Sequence, residues 1–272
     1  MINAPDVAEL FGALPGPDAP LARSAEVPVS EHAIRTWCAA VGERNPIHYD
    51  DAAARRAGYP GVVAPPAMLQ TWTMPIGERS RAERPTLHAR VRRLAQEAGL
   101  GAVVATDYAQ EYLRPIRPGE LLAERSWVDS VSGPKTTALG SGRFVTVAFE
   151  IFDEDGVAVG RMTARTLYFA PGSPRSTGRP PPPVEDVAGA TELAPLEVPL
   201  SRTLIVAASL ASNDHEPVHH DHEVARGQGL PDVIASIVTT AGLVLRYAGE
   251  RSAPGARCRA LRLRLARPAF PG

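Results

Sequence analysis

Two short runs of the chain carry the residue types needed for acid–base chemistry. In each run a carboxylate precedes a histidine by five positions: Glu43 precedes His48, and Asp214 precedes His219. A carboxylate and an imidazole that share one pocket can divide the proton transfers of a general acid–base reaction between them. Both pairs are therefore candidates for catalysis.

The two runs belong to an internal repeat. Residues 43–50 read ERNPIHYD and residues 214–221 read DHEPVHHD, 171 positions later. The correspondence continues through four further pairs at the same offset, which are Ala54/Ala225, Gly58/Gly229, Pro60/Pro231 and Val62/Val233. A repeat of this kind predicts a duplicated structural unit.

Helical patterns surround the first run. Residues 27–41 predict a helix, because Ser30 is a typical N-cap residue and apolar positions follow at helical spacing. Residues 50–56 predict a short second helix. Residues 66–72 predict a more apolar helix, which Pro75 interrupts.

From Gly101 onward the apolar period changes from helical to alternating. Turn sequences separate the alternating segments, as in Arg117-Pro118-Gly119-Glu120. The predicted strands cover residues 103–105, 108–113, 121–128, 144–152 and 161–169. Helices followed by a run of antiparallel strands predict an α+β fold.

The second half repeats this order and then stops. Residues 204–210 and 223–227 flank its run, residues 233–247 form an apolar segment of helical length, and residues 259–266 predict a strand. In the first half Arg114-Pro115 is followed by further strands. In the second half the matching pair is Arg267-Pro268, and only residues 269–272 follow it. We therefore expect the second unit to lack its last strands. Either the chain is a fragment or a partner chain completes the sheet, because an unpaired edge promotes aggregation.

Composition divides the chain into four segments. Residues 1–25 form a lead-in, residues 26–170 a first domain, residues 171–198 a proline-rich linker and residues 199–272 a second, incomplete domain. With 272 residues the chain has room for two such cores.

The overall charge and the terminal sequence exclude several classes of function. The formal net charge is −1, which argues against non-specific nucleic-acid binding. The chain begins without a basic segment leading into an apolar one, and no apolar run reaches the roughly 20 residues that span a bilayer. The two cysteines match no metal or disulfide spacing. We expect a cytoplasmic protein that does not bind membranes.

Longer strings resemble a known family. The repeated runs are similar to the motif of the MaoC-like (R)-specific enoyl-CoA hydratases. Residues 58–68 (GYPGVVAPPAM) and 111–115 (EYLRP) resemble one subunit of the actinobacterial steroid side-chain hydratases within that family. Residues 216–221 (EPVHHD) and 237–244 (IVTTAGLV) resemble the partner subunit. The resemblance implies a tandem, or double, hot-dog fold in which the two subunits are fused.

The resemblance also implies a reaction and a site. The reaction is the reversible hydration of a trans-2-enoyl-CoA, here on a bulky steroid side-chain acyl group. We predict Asp214 and His219 as the catalytic pair, with the backbone N–H groups of Ser236 and Ile237 holding the enolate oxygen. We predict that Glu43 and His48 form a relic or second site, because the extra methylene of Glu43 displaces its carboxylate.

Other residues near the two runs have lesser predicted roles. We expect Asn213, His215 and Asn45 to contact substrate. A zinc site is the rival for the histidine-rich run 215–222, but Pro217 disfavours the helix that would align its ligands. We expect no metal and no cofactor beyond the CoA of the substrate. Arginines 55, 56, 90, 92 and 93 could bind CoA phosphates, although a solvated surface role is the more common one.

Two alternative functions stay open on the residues alone. The first is a non-catalytic acyl-CoA-binding subunit of a larger complex, which Glu43 and the absent strands favour. The second is a hot-dog thioesterase, in which water attacks the carbonyl carbon. Expected partners are an acyl-CoA, a second copy of the chain in a homodimer, and an aldolase or accessory acyl-CoA-binding subunit.

Overall fold

A single antiparallel sheet forms the framework of the protein. The computed structural model describes residues 11–176, 189–252, 256–265 and 267–272. Its seven strands follow the order β1-β3-β5-β6-β2-β7, and β4 pairs with β5 beside this path. The strands are β1 (Leu21–Ser24), β2 (Ala102–Tyr112), β3 (Ala123–Val131), β4 (Lys135–Thr136), β5 (Ser141–Phe152), β6 (Ala158–Phe169) and β7 (Ala260–Arg264).

Helices from both halves pack beside this sheet. They are α1 (Glu31–Val41), α2 (Asp51–Arg56), α3 (Gly77–Glu83), α4 (Leu87–Glu97), α5 (Arg202–Ala211), α6 (His222–Gly227) and α7 (Ile237–Arg251). Four 3₁₀ turns lie between them, at Pro46–His48, Pro66–Leu69, Thr71–Thr73 and Pro217–His219. None of the helices within the described ranges is both long enough and apolar enough to cross a membrane.

The sequence repeat is also a repeat of local structure. Ser30 and Ser201, 171 positions apart, each accept a hydrogen bond from the backbone N–H three residues later and so begin α1 and α5. The 3₁₀ turns at Pro46–His48 and Pro217–His219 are related by the same offset, and so are α2 and α6. The two halves therefore place their carboxylate–histidine pairs on the same scaffold.

The segment after the first run differs from the prediction. The apolar helix expected over residues 66–72 is wrong, because two 3₁₀ turns occupy this stretch. Pro75 has no N–H to continue a helix and holds Met74 in an extended conformation, with ψ 142°. In the second half the matching segment forms the 15-residue helix α7 without interruption.

Two further features were missed from the sequence. Residues 21–24 lie in the predicted lead-in but form β1, which a buried ion pair of 3.2 Å between Arg23 and Glu124 ties to β3. Helices α3 and α4 follow Pro75, and α4 begins at a Thr86 cap. The strands predicted over residues 103–105 and 108–113 are one strand, β2, with an irregularity near Thr106.

The two halves share the sheet unequally. Six strands come from the first half, and the second half contributes β7, which pairs with β2. Within the described ranges, no strand pairs with the other edge of β7. Of the predicted linker, residues 189–198 carry no regular element, while residues 177–188 lie outside the described ranges.

Close packing between α1 and α7 joins the two halves. Trp37 and Val41 of α1 are fully buried, and a Cβ placed on Gly242 of α7 would lie 2.5 Å from the Trp37 ring. A Cβ on Gly249 of the same helix would meet nothing within 4 Å. The absence of a side chain at position 242 thus sets how closely the halves approach.

Replacing Gly242 by alanine should therefore destabilise the protein, although alanine favours helices. We expect a loss of about 1–3 kcal/mol in the free energy of unfolding, because the added methyl group overpacks a rigid ring. Gly249→Ala is the matched control and should be neutral or stabilising by up to ~1 kcal/mol. Urea unfolding of both variants checks this. Equal stabilisation by the two substitutions would show that the contact with Trp37 is unimportant.

Candidate active site

A residue in the left-handed backbone conformation directly precedes each motif carboxylate. Asn213, two residues after the end of α5, has φ +56°, and the N–H of Asp214 donates to Ser209 O at 3.0 Å. In the first copy Gly42 has φ +70°, and the N–H of Glu43 donates to Cys38 O at 2.8 Å. Glycine and asparagine are the residues that tolerate this conformation best. The same backbone turn therefore precedes both motif carboxylates.

Each motif histidine is anchored through one ring nitrogen. Nδ1 of His219 lies 2.7 Å from the carbonyl oxygen of Ile234, and Nδ1 of His48 lies 2.7 Å from that of Val63. A carbonyl oxygen only accepts, so Nδ1 carries the hydrogen. In the neutral ring Nε2 is then an acceptor that faces away from the anchor.

In the second copy the carboxylate faces the histidine. Oδ2 of Asp214 lies 3.6 Å from Nε2 of His219, and both side chains are largely buried. This separation exceeds that of a normal direct hydrogen bond. Two facing acceptors at this distance suit a donor that binds both, such as a water molecule.

In the first copy the carboxylate is used differently. Oε1 of Glu43 accepts hydrogen bonds from the N–H groups of Arg44 and Asn45, both at 2.8 Å. Within the described residues, no carboxylate oxygen of Glu43 lies within 4 Å of a ring nitrogen of His48, in contrast to the second pair. Burial lowers the pKa of His48, so its ring is neutral near pH 7.

The start of α7 lies next to the second pair. The N–H of Ile234 donates to Val218 O at 3.1 Å, so the segment leading into α7 is tied to the turn that carries His219. Ser236 caps the helix, accepting from the N–H of Thr239 at 3.1 Å. The N–H of Ile237, in the first turn, has no acceptor within its own helix and is a donor of the type that binds oxyanions. In the first half Pro66 stands at the matching position and has no N–H.

Two arginines of the first half hold the second motif. Glu216 accepts from Nη2 of Arg81 at 2.5 Å through one oxygen, and Nη1 of Arg92 contacts its other oxygen. Arg81 also donates to the carbonyl oxygen of His215. Sequence reasoning missed this clamp. Its one signal was a charged residue at position 216, where the first copy has Asn45.

The other predicted substrate contacts are divided between the two copies, with Asn213 and His215 beside the second pair and Asn45 in the first copy. Nδ2 of Asn213 is 3.5 Å from the carbonyl oxygen of Thr71, across the boundary between the halves. His215 is partly buried beside Arg81, and burial followed by the arginine charge lowers its pKa. Asn45 caps the first 3₁₀ turn, since Oδ1 accepts from the N–H of Ile47 at 3.3 Å.

Two groups of the first half, partly buried His88 and buried Tyr108, are close enough to Asp214 to feel its charge. Burial lowers the pKa of His88 to about 4, and the opposing charge of Asp214 offsets part of that shift. The His88 ring stacks on Phe149 with centroids 5.4 Å apart. Burial raises the pKa of Tyr108 well above its ordinary value, and Asp214 adds to the effect. The second pair therefore has neighbours from both halves.

Two cavities lie near the motifs. A cavity of about 950 Å³ opens beside the first copy and is lined by Glu43 and His48 together with residues of α7. A second, of about 360 Å³, lies on the outer side of the second motif, against His215 and His220. The larger cavity is thus at the first copy and not at Asp214 and His219, whose side chains face each other. In the described part of the chain, no three His, Cys, Asp or Glu side chains are arranged to hold a metal.

Comparison with known proteins identifies the family. Residues 21–162, from β1 into β6, match the model described as "FAS1-like, dehydratase domain region". The chain belongs to this dehydratase family. The match spans more than half of the chain, and the resemblance drawn from the motifs is confirmed.

Two curated relatives are subunits of one kind of enzyme. The chain is 44% identical over 164 residues to the alpha subunit of 3-oxo-4,17-pregnadiene-20-carboxyl-CoA hydratase from Mycobacterium tuberculosis, which covers 59% of this chain and 51% of the relative. It is 41% identical over 66 residues to the beta subunit, covering 24% of this chain and 51% of the relative. The chain thus spans about half the length of each.

A solved structure agrees over most of the chain. A MaoC-like dehydratase superposes with a TM-score of 0.65 at 25% identity, covering 92% of this chain and 82% of that one. The predicted α+β double hot-dog fold is confirmed. Within the described residues, the second unit is represented by three helices and β7.

The clamp on Glu216 should be measurable as a coupling energy. In a double-mutant cycle of Arg92→Ala and Glu216→Ala we expect a coupling energy of about 0.5–1 kcal/mol in the free energy of unfolding, because both side chains are partly shielded from water. The exposed Arg93–Glu97 pair on the same helix is the control and should give about 0.3 kcal/mol or less. Urea unfolding of all variants measures both cycles. Equal values would show that the clamp has no special role.

His88 should make folding stability depend on pH. Its pKa is about 4 in the folded protein and 6.5 in the reference state, so below pH 6.5 the unfolded chain takes up a proton that the folded chain does not. Stability should therefore fall from pH 6.5 to 4, by at most about 1.4 kcal/mol per pH unit from this group. The free energy of unfolding of His88→Gln should fall less steeply with decreasing pH than that of the parental protein, as measured by urea unfolding at each pH. Parallel slopes would contradict the buried, neutral state of His88.

Proposed function

We propose that the protein reversibly hydrates a trans-2-enoyl-CoA to a 3-hydroxyacyl-CoA, using Asp214 and His219. One observation carries the proposal: Oδ2 of Asp214 faces Nε2 of His219 at 3.6 Å, while Nδ1 is anchored to Ile234. Both of these facing atoms are acceptors when the histidine is neutral and the aspartate ionised. A water held by both keeps its lone pairs directed at a substrate.

The hydration step uses these groups in sequence. The water oxygen bonds to C3 of the enoyl group, and the π electrons move toward the thioester oxygen, which becomes an enolate. His219 takes the proton that the water loses and then returns a proton to C2. Asp214 orients the water and stabilises the imidazolium ion that forms between the two transfers. The net change is addition of H to C2 and OH to C3.

Helix α7 supplies the third requirement, stabilisation of the enolate. Its first turn begins beside the turn of His219, and the N–H of Ile237 points outward from the helix start. Backbone donors aligned with a helix dipole stabilise a developing oxyanion without reorganisation. Ser236 supports this role by capping the helix, since Oγ is occupied by the N–H of Thr239.

We assign a bulky acyl group, that of a steroid side chain, to the substrate. Two relatives are named as subunits of a hydratase for a pregnadiene-carboxyl-CoA, and both match this chain at above 40% identity. In the first half, 3₁₀ turns replace a continuous helix opposite α7, which gives the acyl pocket a different shape from a symmetric pair of sites. The enzyme acts in the cytoplasm and needs no cofactor or metal.

A second candidate function is a non-catalytic acyl-CoA-binding subunit. The observation that favours it is the first motif, where Glu43 accepts two hydrogen bonds from its own backbone. The candidate partners are a second copy of this chain, an aldolase and an accessory acyl-CoA-binding subunit.

Matched substitutions in the two motif copies distinguish these functions. Asp214→Asn should lower the hydration rate by about 10²–10⁴-fold, because the water loses its charged acceptor. Glu43→Gln should leave hydration near the parental rate, because Glu43 is bound to its own backbone. The assay is loss of enoyl-thioester absorbance with a short-chain and a steroid side-chain enoyl-CoA. Circular dichroism confirms that each variant is folded.

Three results would change the assignment. An equal loss of hydration rate in Asp214→Asn and Glu43→Gln would mean that both copies are catalytic. Loss in Glu43→Gln alone would move the active site to the first copy. A parental protein that binds the thioester without turnover would favour the binding subunit.

A further inference from the structure

The turn that carries His219 is supported differently from the matching turn of the first copy. In the first copy Oδ1 of Asn45 accepts from the N–H of Ile47 at 3.3 Å and caps the turn, while His48 is buried. At the matching position the second copy has Glu216, whose side chain makes no capping hydrogen bond among the described residues. All three residues of this turn are partly exposed. A turn with neither a cap nor a buried residue depends on another interaction for its position.

The first half supplies that interaction through the clamp. Nη2 of Arg81 donates to Oε1 of Glu216 at 2.5 Å, and Nη1 of Arg92 contacts the other carboxylate oxygen. Arg81 also donates through Nη1 to the carbonyl oxygen of His215. One arginine thus binds both the main chain and a side chain of the motif. Its planar guanidinium keeps the two donors at a fixed angle, so the contact is directional as well as electrostatic.

The clamp follows from the unequal division of helices between the halves. Arg81 lies on α3 and Arg92 on α4, the two helices that follow Pro75. At the matching offset, residues 248–268 of the second half form the end of α7 and strand β7 in the described ranges. The repeat therefore brings basic side chains of the first half onto the second motif without the reverse arrangement.

The clamped segment connects the two members of the catalytic pair. The N–H of Asp214 donates to Ser209 O of α5 at 3.0 Å, and Nδ1 of His219 lies 2.7 Å from the carbonyl oxygen of Ile234. The clamp binds the chain between these two anchors, at residues 215 and 216. A shift of this turn would change the separation of 3.6 Å between Oδ2 and Nε2 of the pair.

We propose that Arg81 and Arg92 are positioning residues for hydration at Asp214 and His219. They act through Glu216 and the neighbouring carbonyl oxygen, not on the reacting atoms, and they replace the cap of the first copy. This role rests on the proposed function for the reaction. A displacement of about 1 Å can cost about a hundredfold in rate. Loss of the clamp should therefore lower the rate of hydration far more than it lowers stability.

Steady-state kinetics of the full chain separate positioning from substrate binding. The substrate is the enoyl-CoA that the parental chain hydrates fastest, and rates are taken per folded chain. Arg81→Met with Arg92→Met keeps both unbranched stems and removes the donors. We expect kcat to fall about 10–100-fold and KM to stay within about threefold, because neither residue contacts substrate. Arg79→Met, also on α3, removes only an exposed pair with Glu83 and should keep the parental kcat.

Two kinetic results would overturn the proposal. Parental kcat and KM in the variant without both arginines would show that the turn needs no clamp. A raised KM with parental kcat would show that the arginines bind the CoA phosphates instead of positioning the pair.

Rescue at the other end of the clamp tests the same role if loss of both arginines unfolds the chain. Glu216→Ala should lower kcat, because the arginines lose their shared acceptor. Glu216→Asn should recover most of that loss, because asparagine can cap the turn as Asn45 does. In the Glu216→Asn background, Arg92→Met should lower kcat no further, since Arg92 acts through Glu216. Equal kcat in Glu216→Ala and Glu216→Asn would contradict the exchange of a cap for a clamp.

A measurement without substrate distinguishes failure of this role from failure of the proposed hydration. In protein labelled at its histidine nitrogens, the His219 resonances are identified by their loss in His219→Gln. The Nε2 resonance should shift in Arg81→Met with Arg92→Met, because its separation from Asp214 changes, and should not shift in Arg79→Met. A shift in a chain that hydrates no enoyl-CoA would reject the hydration and keep the positioning. An unchanged resonance in a chain that hydrates normally would reject the positioning alone.

Discussion

The hydrogen bond from each motif histidine to a carbonyl oxygen 15 residues further along the chain organises both copies. It requires the 3₁₀ turn that carries His48 or His219 to pack against the segment leading into the next helix. It also fixes which ring nitrogen bears the hydrogen, so that Nε2 is the free atom. The chemistry of each copy then depends on what faces Nε2.

The two copies use their motif carboxylates differently. Glu43 folds back on its own backbone, where it accepts two N–H bonds. Asp214 instead faces His219. A second difference follows at position 216, where a carboxylate allows arginines of the first half to hold the second motif. On the same scaffold, the carboxylate therefore faces the histidine in the second copy and is hydrogen-bonded to its own backbone in the first.

The parts of this arrangement set by local sequence were predictable. The caps, the short helices after each motif and the strands of residues 102–169 follow from residue type and period. The clamp on Glu216 was not, because Arg81 and Arg92 lie more than 120 positions away and carry no motif. Nor were the 3₁₀ turns of residues 66–73, because the apolar pattern favoured a helix up to the interruption at Pro75.

Strand β2 lies between the surroundings of the two copies. Its buried polar side chains form a continuous line: Tyr112 donates to Gln110 at 2.6 Å, Gln110 to Tyr108 at 2.8 Å, and Tyr108 to Gln70 at 3.1 Å. Tyr112 lines the cavity of the first copy, while Tyr108 lies near Asp214. Because each buried group depends on the next for its partner, removal of one leaves another unsatisfied, at a cost of about 1–3 kcal/mol. The same strand also pairs with β7, so the hydrogen-bonded line of β2 lies on the strand that joins the two halves in one sheet.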